Sequence, residues 1–229
     1  MGMLHMGSLA EERRERLAQM RLYVITGDRG DEAETARIVE AALEGGADVI
    51  QMRKKTMPKA EQYRLAVALR RLTRAHGALL IVNDHPDLAI VADADGVHLG
   101  QDDFPPSIIR ALNGFNGRLL GRSTHSLEQA MAAVNDGVDY LGVGPVFETP
   151  TKAGRPAVGC GLVSEVAAHL DNPFVAIGGI DLQTASAVIE AGAPAIAVVR
   201  AVYDATDPGE TARRLRALVN TRLEAARRA

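Results

Sequence analysis

The stretch Tyr140–Lys152, YLGVGPVFETPTK, gathers groups that suit a phosphate. It starts with apolar Leu141, Val143 and Val146 among small glycines, then opens into Glu148, Thr149, Thr151 and Lys152. Backbone amides beside glycine, two hydroxyls and a lysine together match a phosphate or diphosphate. Other polar residues also fall just after apolar runs: Arg53 and Lys55, Asn83 and Asp84, Asp102 and Asp103, Ser123 and His125, Gly178 and Gly179. Taken singly, Asp84 or Asp103 reads as a helix cap and each basic residue as a solvated charge. As a set they have complementary chemistry. Arg53, Lys55 and Lys152 neutralise a diphosphate. Two carboxylates without a Cys or His cluster suit a hard cation such as Mg2+, completed by substrate phosphate. Gln51 lies inside an apolar run, where a side-chain amide needs partners; it either reads a polar heterocycle or is satisfied within the core. The paired glycines Gly178-Gly179 either approach a phosphate or allow tight strand-to-helix packing. His98, between Val97 and Leu99, reads as a structural histidine. His125 belongs nearer the rim, and Cys160 has no paired base in sequence and reads as structural.

Placing these residues together requires a scaffold that ends many strands on one side. Arg21–Thr26, Ala47–Met52, Ala78–Val82, Gly96–Leu99, Arg118–Gly121, the start of the Tyr140 stretch, Pro173–Ile177 and Pro194–Val199 read as short, nearly continuous apolar strands. Helical patterns separate them: Glu34–Leu43, Pro58–His76, a short helix after Asp84, Ser107–Leu112, Leu127–Asn135, Leu162–Leu170 and Leu182–Ala191. A last amphipathic helix begins near Gly209. The joints GGAD, DADG, NDGVDY and EAGAPA recur where a helix gives way to a strand. About eight such units point to an α/β fold of the (β/α)8 TIM-barrel type, in which strand ends share one rim and carry the chemistry. An open doubly wound sheet usually has fewer strands and often a G-x-G-x-x-G after the first, which is missing here. The reading is one barrel unit, 21–229, preceded by an extension, 1–20, whose Leu9–Met20 segment is a charged helix. That helix either covers the barrel bottom or joins a neighbouring subunit of a homo-oligomer.

Bulk properties narrow the partners. The 229 residues are 47% hydrophobic and 24% charged, ordinary for a soluble globular protein. A net charge of -3 carries no global basic field for nucleic acid or an anionic membrane. No apolar run is long enough to span a bilayer, and the N-terminus lacks a signal-peptide core. A lone cysteine forms no intrachain disulfide and fits a reducing cytoplasm.

With these residues laid out, the chain resembles the thiamine-phosphate synthase family. YVIT, QMRKK, NDHPDLA, ADGVHLGQDD, GRSTH, YLGVGPVFETPTK and AIGGI stand in family order and spacing from about Tyr23 to the last helix. The resemblance implies a TIM barrel that joins 4-amino-5-hydroxymethyl-2-methylpyrimidine diphosphate to 4-methyl-5-(2-phosphooxyethyl)thiazole, or its carboxylated form, with Mg2+. It implies a pyrimidine-diphosphate site of Gln51, Arg53 and Lys55 with Asn83 beside it, and Mg2+ ligands at Asp84 and Asp103. Ser123 would contact the pyrimidine diphosphate and Lys152 its phosphates, while Thr149, Thr151 and the Gly179 amide hold the thiazole phosphate. Arg53, Lys55, Ser123 and Lys152 form the expected catalytic set. The family's last phosphate-binding pair, usually Ile/Val-Ser, falls here on Val199-Arg200, so the serine contact is replaced. The lid candidates are GDRGD, the Arg53–Met57 segment and Lys152–Gly161. Two competing readings are a thiazole tautomerase, which needs no diphosphate set, and a non-catalytic barrel binding a phosphorylated ligand.

Overall fold

The computed structural model describes residues 2–149 and 156–228. Its elements run α1 (Gly2–Ala18), β1 (Leu22–Ile25), α2 (Glu32–Glu44), β2 (Val49–Met52), α3 (Lys59–Ala75), β3 (Leu79–Asn83), α4 (Pro86–Val91), β4 (Gly96–Leu99) and α5 (Pro106–Arg110). They continue with β5 (Leu119–Thr124), α6 (Leu127–Asn135), β6 (Tyr140–Val143), α7 (Gly159–His169), β7 (Phe174–Ile177), α8 (Ala185–Glu190), β8 (Ile196–Val198), α9 (Arg200–Tyr203) and α10 (Pro208–Arg228). The eight strands are all parallel and close in sequence order, β8 pairing with β1. This is the TIM barrel expected from the alternation.

Strand periodicity divides the core in two. In β1, Leu22 and Val24 join the outer layer under the helices, whereas Tyr23 and Ile25 point into the barrel with Val49, Leu79, Ile81, Leu119, Tyr140, Val175 and Ala197. Both faces are buried, so the strands carry no polar alternation. Because every strand runs the same way, every strand end opens on one rim. The pattern in the sequence misses α9, a four-residue turn straight after β8, and it stops β5 at Gly121 although the strand continues through Thr124. That extension carries Ser123 on the strand itself, which holds it more rigidly than a loop.

The recurring acid at the helix-to-strand joints is a clamp at the opposite end. Asp48 accepts the Arg21 and Leu22 amides at 2.8 and 3.0 Å and pairs with Arg216 of α10 at 2.9 Å. Asp95 accepts the Leu80 amide at 2.9 Å, takes Arg70 of α3 through two bonds, and pairs with Arg13 of α1 at 2.9 Å. Asp139 repeats the device with the Leu120 amide, Arg110 and Arg14. Each acid sits before an even strand, ties the neighbouring odd strand to it, and anchors helices outside. Before β8 the same point is Ala195, which packs instead with Leu17 and Met20 inside the barrel. Arg13, Arg14, Leu17 and Met20 therefore lay α1 across the barrel bottom of its own chain.

Candidate active site

The rim holds two groups of residues. The first lies at the ends of β2 to β5. Gln51, on β2, is 3% exposed, and its amide donates to the Tyr23 hydroxyl at 2.7 Å. Arg53 follows the strand. Its backbone amide and carbonyl are held by the Thr26 hydroxyl at 2.9 and 3.0 Å. Its guanidinium meets Asp28 at 2.9 Å, and the other Asp28 oxygen accepts the Lys55 amide at 2.8 Å. The intervening Lys54 turns the other way and is buried, donating to the Arg29 carbonyl at 2.6 Å and to the Tyr203 hydroxyl at 3.1 Å. The alternation after β2 thus sends Arg53 and Lys55 to the rim and spends Lys54 on tethering. It also joins GDRGD to the segment after β2 through Asp28 and Lys54, so these two lid candidates are tied to each other.

Asn83 ends β3, and Asp84 follows with φ of 61°, a left-handed conformation that asparagine and aspartate tolerate better than other non-glycine residues. This twist is fixed by the Asp84 amide donating to the His98 carbonyl at 2.9 Å. The Lys55 ammonium lies 4.0 Å from the Asp84 carboxylate. Asp103 accepts the Gly100 amide at 2.6 Å. Burial first, and then the neighbouring Asp103 carboxylate, push the Asp84 carboxyl above its usual range, with Lys55 opposing. Two half-buried carboxylates pressed together with one lysine nearby have the donor chemistry of a hard cation site, since a divalent ion relieves the repulsion. Among the described residues no group of three or more His, Cys, Asp and Glu converges, so a zinc-type cage is not what these residues build. Ser123 completes this group, its hydroxyl 3.0 Å from His98 Nε2 and its carbonyl accepting from Gln101.

The second group lies at the ends of β6, β7 and β8, around a cavity of about 300 Å3. Five of the sequence candidates line it: Thr149, Gly178, Gly179, Val199 and Arg200. After β6 the chain runs alongside the end of β7, with the Val146 and Phe147 amides donating to the Ile177 and Gly178 carbonyls at 2.8 and 3.0 Å. A Cβ at Gly178 would stand 2.5 Å from Pro145 Cα, and one at Gly179 2.7 Å from Phe147 Cβ. Both glycines also have positive φ. The pair is therefore required by tight packing, and the same packing brings backbone to the cavity wall. Thr151 and Lys152 lie outside the described residues.

His98 is buried as expected, and the His125 ring contacts the Gly144 carbonyl beside the rim. Cys160 is partly buried against the outer core. Sequence reasoning passed over Asp28, Tyr23, Tyr140 and Asp181, the last of which lines the cavity. Asp28 follows β1 on the same rim as the other candidates, so the post-strand rule applied to β1 finds it. Tyr23 and Tyr140 sit within apolar strands and look like core until their hydroxyls are placed.

A family model described as thiamine monophosphate synthase matches residues 22–202. The thiamine-phosphate synthase of Gloeobacter violaceus is 50% identical over 198 residues, covering 86% of this chain and 57% of that protein. The chain thus spans little more than half the length of that relative. The thiamine-phosphate synthase of Acidothermus cellulolyticus is 47% identical over 198 residues, covering 86% of this chain and 93% of its own. A solved thiamine phosphate pyrophosphorylase from Pyrococcus furiosus superposes with a TM-score of 0.82 at 37% identity, over 90% of this chain and 98% of that one.

Proposed function

The chain belongs to the thiamine monophosphate synthase family, and from that membership we propose that it condenses 4-amino-5-hydroxymethyl-2-methylpyrimidine diphosphate with 4-methyl-5-(2-phosphooxyethyl)thiazole, or its carboxylated form, to thiamine phosphate and diphosphate. The observation that carries the reading is the pairing on one rim of a cation and carboxylate group with a separate cavity walled by Thr149, Gly179, Val199 and Arg200. One group suits a diphosphate and its metal, the other a phosphate monoester.

In this reading Gln51 meets the pyrimidine, Asn83 lies beside it, and Arg53, Lys55, Ser123 and Lys152 meet the diphosphate. The methylene carbon–oxygen bond breaks with its electron pair leaving on the diphosphate, and the thiazole nitrogen then attacks the pyrimidine methylene cation. No protein nucleophile is needed. The rim must align two substrates and exclude water, and fixed cations must stabilise the charge that grows on the leaving group. Asp28 holds Arg53 in place for that task. Asp84 and Asp103 would hold Mg2+, which supplies further neutralisation of the diphosphate. Thr149, Thr151 and the Gly179 amide receive the thiazole phosphate, with Val199 and Arg200 closing the cavity. Arg200 brings a positive charge where the family usually has a hydroxyl, and a phosphate dianion accepts either.

The same reading treats 21–229 as the catalytic unit and 1–20 as an extension, in a cytoplasmic enzyme. No helix among the described residues is long and apolar enough to cross a membrane. α1 spends Arg13, Arg14 and Leu17 on its own barrel, which favours the barrel-bottom role for the extension and leaves its outward face for any homo-oligomer contact.

The test is direct coupling. The two substrates are mixed with the purified protein, with and without Mg2+, and thiamine phosphate is followed as its fluorescent oxidised derivative. Product that requires Mg2+ is the expected result. Thiazole phosphate binding without product would instead favour a tautomerase or a non-catalytic binder. Lys152→Ala should slow the coupling by about 10²-fold, the scale of losing one fixed group that stabilises transition-state charge. An unchanged rate would make Lys152 a surface lysine.

A further inference from the structure

Five side chains from five strands form one buried hydrogen-bonded chain across the barrel. Gln51 of β2 donates its amide to the Tyr23 hydroxyl of β1 at 2.7 Å. Tyr23 and Tyr140 of β6 share a bond of 2.9 Å. The Tyr140 hydroxyl meets His98 Nδ1 of β4 at 3.1 Å, and His98 Nε2 meets Ser123 Oγ of β5 at 3.0 Å. All five are buried. The crossing depends on Gly121: a Cβ there would stand 2.2 Å from the Tyr140 ring and 2.6 Å from His98 Nδ1. The two ends are substrate residues in the reaction proposed above, and the three middle groups have no role in it.

We infer that Tyr23, Tyr140 and His98 are positioning residues that set the hydrogen-bond polarity at both ends of this chain, leaving the Gln51 carbonyl as an acceptor for the pyrimidine amino group and the Ser123 hydroxyl as a donor to the diphosphate. The inference rests on the proposed substrates, and once the Gln51 amide donates to Tyr23 the rest of the polarity follows from counting hydrogens. Tyr23 accepts from Gln51 and has one hydrogen, which goes to Tyr140. Tyr140 then spends its hydrogen on His98 Nδ1. The imidazole is therefore neutral with its proton on Nε2, which it donates to Ser123 Oγ. Ser123 keeps its own hydrogen for another acceptor, and an anionic phosphate oxygen is the strongest acceptor the reaction offers.

The opposite polarity is equally complete as a chain but wrong for the substrate. With the Gln51 amide reversed, every hydrogen points the other way and Ser123 spends its proton on His98. Gln51 would then face the pyrimidine amino group with its own NH2, donor against donor. Burial holds both phenols in their neutral form, so each supplies one hydrogen in either case. Cooperative strengthening along a fully satisfied chain makes the two polarities an all-or-none choice.

The experiment is long-range 1H–15N correlation on the full chain with 15N-labelled histidine, without substrate, the His98 signals being assigned by their loss in a His98→Gln variant. The expected result is an unprotonated, pyridine-like Nδ1 and a protonated, pyrrole-like Nε2. A proton on Nδ1, alone or with Nε2 protonated too, overturns the inference. Tyr140→Phe should release the fixed tautomer and lower kcat on the order of tenfold, with KM for thiazole phosphate unchanged because that substrate uses the other cavity. A variant that only melts earlier, with His98 nitrogens and kcat as in the parent, assigns the chain to stability alone and also overturns it. Absence of product from the parent protein counts against the proposed reaction instead, since the tautomer is read without substrate or turnover.

Discussion

Asp84→Asn is expected to cut Mg2+-dependent turnover by about 10³-fold or more while the metal-free protein melts no lower than the parent; a divalent ion supplies several kcal/mol of charge stabilisation and each ~1.4 kcal/mol is a factor of ten. The two halves of the result have one cause. Without metal, burial and Asp103 disfavour the ionised Asp84 carboxyl, and the Lys55 ammonium 4.0 Å away does not cancel them. An acid whose folded pKa is raised favours the fold at low pH, and that advantage is lost as pH rises from the ordinary carboxylate range through the raised value. Where the Asp84 carboxyl is ionised in the metal-free chain, burial and Asp103 oppose its charge, and asparagine removes it. Asparagine also suits the φ of 61°, where alanine would add backbone strain of its own. Added Mg2+ should raise the melting temperature of the parent, by binding the folded state alone, and leave the variant unmoved. A variant that keeps full activity removes Asp84 as a ligand, and one that melts several degrees lower shows that its charge is already satisfied.

This expectation depends on features that differ in how far the sequence reveals them. The barrel was legible because eight short apolar runs alternate with helical ones, and a parallel sheet buried on both faces leaves that trace. Asp84 and Asp103 were legible as candidates because strand ends face one rim. Their mutual repulsion was not, because it comes from the approach of two loops distant in sequence. Lys54 illustrates the same limit. Its neighbours Arg53 and Lys55 read alike in QMRKK, yet the turn after β2 buries Lys54 against Tyr203 and the Arg29 carbonyl. Tyr203 itself arrives on α9, a turn too short to leave a periodic pattern. The chain from Gln51 to Ser123 was hidden for a related reason. Tyrosine and histidine inside apolar strands are ordinary core residues until cross-barrel register brings their polar atoms together.

The joints before β2, β4 and β6 were visible as a repeat but not as a clamp, and Asp95 is where the difference is largest. Asp95→Ala should destabilise the fold by about 3–5 kcal/mol, the usual consequence of stranding a buried ionic partner. Arg13 and Asp95 have side chains only 5% exposed, and Arg70 is 11% exposed. Removing the acid leaves two guanidinium groups in the barrel bottom without their anion and the Leu80 amide without its acceptor. Burial already pulls the Arg70 pKa down despite Asp95, so the site has no reserve to carry an unpaired charge. For a chain of this size that loss corresponds to a fall in melting temperature of roughly 6–20 °C. The control is Arg74→Ala, whose partner Asp93 is also exposed, at 61% and 52% for the pair; such a surface pair contributes about 1 kcal/mol or less. Equal small shifts from both variants would show that the bottom clamp is solvated and that α1 does not depend on it. A large shift for Asp95 alone, with the parent's catalytic rate retained at low temperature, would place stability at one end of the barrel and chemistry at the other, the division of labour that parallel strands impose.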